Sequence, residues 1–378
     1  MTIVPASAPT GARASARLPW SVEVARGRDA FEALRSEWEA TVERGPADVP
    51  FARHAWLAAW LDAFAPGAAP LVLVAREAGG APLGMAVLLE ERHQGALRLV
   101  APANDHSCAV EWALGADPGS AVAAIWAHLR DRVAWDVLLL RDVVRDGPTS
   151  ALLEPLARAD GHPVGRWESL RSPWIPLGGR PAEERTDARF RANLRRRSRR
   201  LAELGAISVR RAGRAEDVTP ALADFLALEA SGWKGQRGSA IALDDALVRF
   251  YARIARDAAA RGTLAIRALE LDGRPVAIHL GLVHRGAYYL PKTAYDEALG
   301  AASPGQLLQR EVVAECEARG LERFAFLGPD MPWKRDWEPE HAPHDWLYVY
   351  RPTLAGRARH ALRHRLRPAL KEVLAWRR

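Results

Sequence analysis

Two stretches decide the fold: GGAPLGMAVLLEERHQGALRLV (79–100) and DGRPVAIHLGLVHRGAYYLP (272–291). Each opens on turn residues and runs through alternating apolar positions. Each then turns again, at Gln94-Gly95 or Arg285-Gly286, into another alternating run. Short two-residue turns between period-2 segments are the mark of antiparallel hairpins. A further apolar run precedes each stretch, LVLVARE (71–77) and LAIRALEL (264–271). The pattern predicts three antiparallel strands in each half of the chain.

Working outward, the flanks repeat as well. Helical periodicity precedes the strands in FEALRSEWEATVE (31–43) and HAWLAAWLDAF (54–64), and again in ALADFLALEASGW (221–233) and ALVRFYARIARDAAARG (246–262). A helix and another strand follow: GSAVAAIWAHLRDRV with WDVLLLRDV, then GQLLQREVVAECEARG with RFAFLG. The expected class is α+β (mixed α/β): two tandem modules, each a mostly antiparallel twisted sheet flanked by helices. Linker residues in PLGGRPAEER (176–185) separate them. The expected organisation is a flexible tail (1–18), a first module (19–176), a second module (187–350) and a basic C-terminal helix or tail (351–378).

This element order is that of a GNAT-type acyltransferase. Three motifs, GWKGQRGSA (232–240), KTAYDEALGAASPGQLL (292–308) and FLGPDMPWKRDW (326–337), resemble the acetyltransferase-like family grouped with CelD-type polysaccharide-biosynthesis proteins. That family is related to the FemAB peptidyltransferases, which use two GNAT-like modules and take their donor from aminoacyl-tRNA. The resemblance covers residues 20 to 350 and is strongest from 187 onward. It implies acyl transfer from acyl-CoA (acetyl-CoA or longer) to an amine or hydroxyl of a small-molecule, saccharide or lipid-linked acceptor, without a metal. The FemAB-type alternative has aminoacyl-tRNA as donor, and a non-catalytic GNAT-like binding protein is the third reading.

Ser303-Pro304-Gly305-Gln306 reads two ways. Ser is a favoured N-cap, Pro suits the first helical position, and Gln three residues on completes a capping box. The same helix start presents unpaired N–H groups to an anion, and Gly305 lets a phosphate approach. GNAT enzymes hold the CoA pyrophosphate here, with a Gln/Arg-x-x-Gly-x-Gly/Ala motif; this chain has SPGQLL instead. Lys292, three residues before Tyr295, is expected to point to the same cleft.

For the chemistry, Lys334 between Trp333 and Trp337 sits where desolvation lowers a lysine pKa. FemAB relatives have a lysine at the matching place, so the resemblance gives Lys334 the developing negative charge or the donor phosphate. Its other reading is an ordinary surface lysine. His279 alternates onto a face with Ala277 and Gly281, small neighbours that leave room for a ligand. It is either a general base or a satisfied structural histidine. Tyr295 and Asp296 are candidates for orienting an acceptor or supplying a proton, and Asp296 equally suits a plain turn. Trp233, Lys234 and Arg237 suit a lid over an anionic substrate. Asp105 and His106, with Ser107 and Cys108, are expected to line the acceptor pocket.

The formal charge is +7, from 53 basic and 46 acidic residues. The excess gathers in RFRANLRRRSRRLAELG (189–205) and in the C-terminal segment, favouring anionic partners. The first reads as an amphipathic helix, whose arginines also suit tRNA phosphates. The second, with Leu362, Leu366, Leu370 and Leu374 four apart, suits a solvated helix or a peripheral membrane contact. Two cysteines are too few for a disulfide framework. With no signal-like or membrane-spanning run, the expected location is cytoplasmic, and two modules sharing a cleft are compatible with a monomer.

Overall fold

The computed structural model describes residues 20–366. The expected N-terminal tail lies outside the described residues, as do Leu370 and Leu374 of the proposed membrane-contacting segment. Among the described residues, no helix is long and apolar enough to cross a membrane.

Among the described residues thirteen strands form one sheet: β1 (Trp20–Arg26), β2 (Leu71–Glu77), β3 (Pro82–His93), β4 (Ala96–Val100), β5 (Ala113–Leu114), β6 (Val137–Val144), β7 (Val164–Pro176), β8 (Ile207–Ala212), β9 (Leu264–Leu271), β10 (Arg274–His284), β11 (Ala287–Tyr295), β12 (Arg323–Ala325) and β13 (Glu340–Tyr350). The expected three-strand runs are β2–β4 and β9–β11. Three of their turns place both central residues at positive φ: Gln94-Gly95, Asp272-Gly273 and Arg285-Gly286. That backbone matches the right-handed twist of the flanking strands.

The strand order is β1-β2-β3-β4-β6-β13-β7-β12-β11-β10-β9-β8, with β5 beside β3. The order is a near palindrome about the β13–β7 pair, so the two halves are related by an internal two-fold. The pairing is antiparallel except where β4 meets β6 and β11 meets β12. β7 comes from the first half yet pairs only with β13 and β12; β13 comes from the second half yet pairs only with β6 and β7. The modules have exchanged their last strands. Buried Asp345 of β13 fixes the junction, accepting from Arg145 at 2.6 and 2.9 Å and from Arg166 at 2.8 Å.

One apolar core is common to both halves. It packs the helix His54–Phe64 and the helices Val218–Ser231 and Asp245–Ala260 on one face of the sheet. On the opposite face each half has its own core. One lies under the helices Pro118–Arg132 and Pro148–Ala159, the other under Ala188–Ala202 and Pro304–Ala318. Below, the shared side is the inner face and the other the outer face. An ion-pair network closes the halves from the inner side. The Asp48 carboxylate accepts from Arg53 at 2.6 Å and from His284 at 2.8 Å, and also from Arg285. These cations hold Asp48 down to about 2 against the desolvation that opposes ionisation.

Candidate active site

β11 and β12 run parallel for three residues, from Ala287 opposite Arg323 to Tyr289 opposite Ala325, and then part. β11 continues to Tyr295. Past β12, Phe326 donates to Pro173 of β7, and Leu327 and Gly328 adopt positive φ, turning the chain away. The two strands part here, leaving a split in the sheet between β11 and the chain beyond β12.

On the outer face the split lies beside the start of the helix Pro304–Ala318. Ser303 stands at the cap position but in left-handed backbone, φ 47 and ψ 59, and its side chain does not cap. Its Oγ donates to Gly300 instead, at 3.1 Å. The expected capping box is therefore absent. Gln306 turns away from Ser303: its Nε2 donates to Trp333 O at 2.7 Å, and its Oε1 accepts from Trp337 Nε1 at 2.8 Å. The Gly305 N–H has no acceptor among the described residues. A Cβ on Gly305 would meet only the Tyr295 ring, at an ordinary 3.6 Å, so protein packing does not demand glycine there.

The first module supplies a contrast. Its helix Pro118–Arg132 follows ALGADPGS (113–120), text that parallels ALGAASPGQ (298–306). There Asp117 caps, accepting from Ser120 N at 3.0 Å. Beyond the end of β4, Trp38, Phe51, Trp56 and Trp112 line a small cavity.

Lys334 lies in the turn Pro332–Arg335 and is 4% exposed, so it is not a surface lysine. Its Nζ donates to Leu327 O at 2.6 Å and Pro329 O at 2.8 Å, with the Trp333 ring centre 5.5 Å away. Burial lowers its pKa to about 8, against the raising fields of Asp330 and Cys108. Two of its three donors thus shape the loop that forms the far wall of the split.

Lys292 does not share Tyr295's side of the sheet. Three residues apart on a regularly paired stretch of strand, the two point to opposite faces, and Lys292 faces inward over the Tyr251 ring, 5.6 Å from its centre. Tyr295, 40% exposed, lies on the outer face against Gly305. Asp296 is committed to Arg274 at 2.8 Å and to the Ala298 N–H at 3.0 Å, the plain turn arrangement.

His279 is 1% exposed, and burial takes its pKa down to about 3. The space expected beside Gly281 is filled by Tyr288, whose hydroxyl would lie 2.0 Å from a Cβ there. The small residue fits an aromatic neighbour, not a ligand.

Around Lys292 the inner face gathers residues of both modules. His106 Nδ1 lies 2.9 Å from the Tyr251 hydroxyl, and burial with the fields of Lys292 and Lys234 lowers the imidazole to about 4. Phe64 stacks on that ring. Asp105 beside it is exposed. Burial pushes the Cys108 thiol up to about 12, so it is not ionised at neutral pH. Lys234 donates to buried Glu229 at 2.6 Å. Trp233, 41% exposed under the Arg237 guanidinium, gives its N–H to Glu297 at 2.8 Å, joining this loop to the turn before the helix start. Tyr251 was not evident in the sequence, because an aromatic within a helical apolar pattern signals only core.

Residues 188–335 match the acetyltransferase (GNAT) domain family. No curated protein matches the chain. The fold resembles FemX (TM-score 0.59, 13% identity, covering 84% of this chain and 95% of that one). It also resembles a conserved protein of unknown function from Bacteroides thetaiotaomicron (0.55, 11%, 84% and 97%). A third is the C-terminal domain of a putative lysylphosphatidylglycerol synthetase from Agrobacterium fabrum (0.52, 13%, 88% and 95%). With its palindromic pair of strand sets the chain has a two-module fold like that of FemX, and its second half matches the acetyltransferase (GNAT) domain family over residues 188–335.

Proposed function

We propose that this protein is an acyltransferase that uses acyl-CoA and transfers its acyl group to an amine or hydroxyl of a small-molecule, saccharide or lipid-linked acceptor. The observation that carries the reading is the contrast between the two helix starts. One is closed by its own carboxylate, Asp117. The other, at the mouth of the split, keeps a free Gly305 N–H at the positive end of a helix dipole. Acyl-CoA, when bound, supplies an activated carbonyl.

The protein's own groups divide the work by face. On the outer face Gly305 and the residues around Ser303, Pro304 and Gln306 would hold the donor phosphates, with Tyr295 alongside. Gln306 ties this helix start to the Trp333–Trp337 turn, so the phosphate site and the Lys334 loop move as one body. Lys334 keeps its remaining N–H for negative charge at the split. On the inner face Lys292 and His106 line the acceptor side, and the Trp233–Arg237 loop borders it.

A second reading, aminoacyl-tRNA as donor, is favoured by one observation. The arginine-rich helix Ala188–Ala202 flanks the same helix start: Phe190 packs edge-on against Trp337, and Arg197 acts on Asp336. Either donor would place the reaction in the cytoplasm.

Calorimetric titration with CoA, acetyl-CoA and a longer acyl-CoA at two salt concentrations tests the choice. Gly305→Asp puts a carboxylate where the phosphate would sit, while its Cβ finds ordinary space. CoA binding is expected to weaken at least about tenfold with the melting temperature held or raised, since an acidic residue suits a helix start. Unchanged CoA binding in the variant sinks the site. Absence of CoA binding, with steeply salt-dependent binding of aminoacyl-tRNA, moves the donor to tRNA.

A further inference from the structure

We propose that the acceptor is anchored by an anionic group, a carboxylate or a phosphate, that Lys292 and His106 hold on the inner face between the modules. The inference rests on the reading above that the acceptor occupies this face, and it adds what the acceptor must carry.

The hydrogen-bond inventory leads there. Tyr251 is buried, and its hydroxyl has one partner among the described residues, His106 Nδ1 at 2.9 Å. Burial keeps that phenol protonated. A buried O–H needs an acceptor, so Tyr251 donates and Nδ1 accepts. The imidazole is neutral, and its proton therefore sits on Nε2. His106 offers the site an N–H donor, not a basic lone pair. The Phe64 ring fixes the plane in which it does so.

Lys292 adds a charge. Its ammonium lies over the same tyrosine ring and has no carboxylate partner among the described residues. Lys234 repels it and acts on His106 as well. The nearby carboxylates are spoken for or turned to solvent. Glu229 holds Lys234 through one oxygen and the Ile241 N–H through the other. Asp244 caps the helix Asp245–Ala260, and Asp105 is exposed. The cluster therefore presents donors and positive charge, and the one unpaired carboxylate whose field reaches it, Asp105, is turned to solvent. A ligand bringing an ammonium here would meet like charge, whereas a carboxylate or phosphate satisfies Lys292 and His106 together. The acceptor is then bifunctional, with its anion anchored here and its nucleophile reaching the split beside Lys334.

The test uses the full chain labelled with 15N-histidine and observed by NMR at neutral pH. The wild-type spectrum should show His106 protonated on Nε2, and Tyr251→Phe should redistribute that proton. Inorganic phosphate and acetate are titrated in turn. Saturable movement of the His106 signals, weakened at least about tenfold in Lys292→Met, supports the anchor. Phosphate alone would indicate a phosphorylated acceptor, and acetate alone or both would indicate a carboxylate. If neither anion moves His106, if Lys292→Met binds as the wild type does, or if Nε2 carries no proton, the proposal is overturned. CoA titration of the same Lys292→Met protein separates the two readings. The proposed CoA site lies on the other face, so the variant should bind CoA as the wild type does, and absence of CoA binding in both would strike the donor assignment and leave the anion result standing.

Discussion

Replacing Lys334 by methionine removes a buried ammonium and keeps most of its stem. In the folded chain burial lowers this amine from 10.5 to about 8. A difference of that size corresponds to about 3 kcal/mol between the two protonation states. At pH 7 both folded and unfolded chains carry the proton, and the folded state bears the whole burden of a desolvated charge. Between about 8 and 10.5 the unfolded chain still holds the proton while the folded chain has released it. Stability therefore rises with pH through that window, because the unfolded state binds more protons. From pH 7.5 to 9.5 the wild type should gain about 2 kcal/mol from this residue, and Lys334→Met should lack that gain. At pH 7.5 the variant loses two charge-assisted bonds to Leu327 and Pro329 but also the desolvated charge, so the net change should stay within about 2 kcal/mol. Urea unfolding followed by tryptophan fluorescence at the two pH values measures both quantities. An identical pH response in wild type and variant would refute the reasoning, since Lys334 would then titrate as an exposed lysine does.

Two further outcomes follow from buried groups elsewhere. His279, held neutral with a folded value of about 3, makes the fold lose stability as pH falls from 6.5, because only the unfolded chain takes up the proton. At pH 4.5 this amounts to about 3 kcal/mol, and His279→Leu should be spared it in a comparison of urea midpoints at pH 7 and 4.5. A variant losing as much as the wild type would rule the effect out. Asp48→Asn strips the carboxylate from Arg53, His284 and Arg285 and should cost about 3–5 kcal/mol at pH 7. A loss below about 1 kcal/mol by denaturant unfolding would mean that solvent already screens the network.

The repeat was legible because it is local: alternation and two-residue turns specify hairpins without reference to the rest of the chain. So was the desolvation of Lys334, since two tryptophans flank it in sequence. The start at Ser303 was placed correctly as a helix boundary, but propensity could not show that its backbone is left-handed and its side chain turned away. The cleft expected to be shared by Lys292 and Tyr295 overlooked the period-2 alternation, which sends residues three apart on a strand to opposite faces. β7 and β13 were not read as strands, nor was their exchange foreseen, because their partners lie in the other half of the sequence. The Tyr251–His106 pair spans 145 residues, a juxtaposition that only the shared inner core creates. One missed signal was available: ALGADPGS against ALGAASPGQ marks the two equivalent helix starts, and the Asp in one with Ser in the other marks their divergence.

The crossed pairing of β7 and β13 bears on how this chain can be taken apart. A gene cut in the linker would yield two polypeptides, each with one long strand stripped of every backbone partner and each with an open edge, at β6 or at β12. Such fragments are poor candidates for separate expression, since unpaired edges recruit whatever strand they meet. Produced together, each would carry the piece that closes the other. Two intact copies could also trade the same strands, so that the device joining the modules within one chain is equally a device for joining chains.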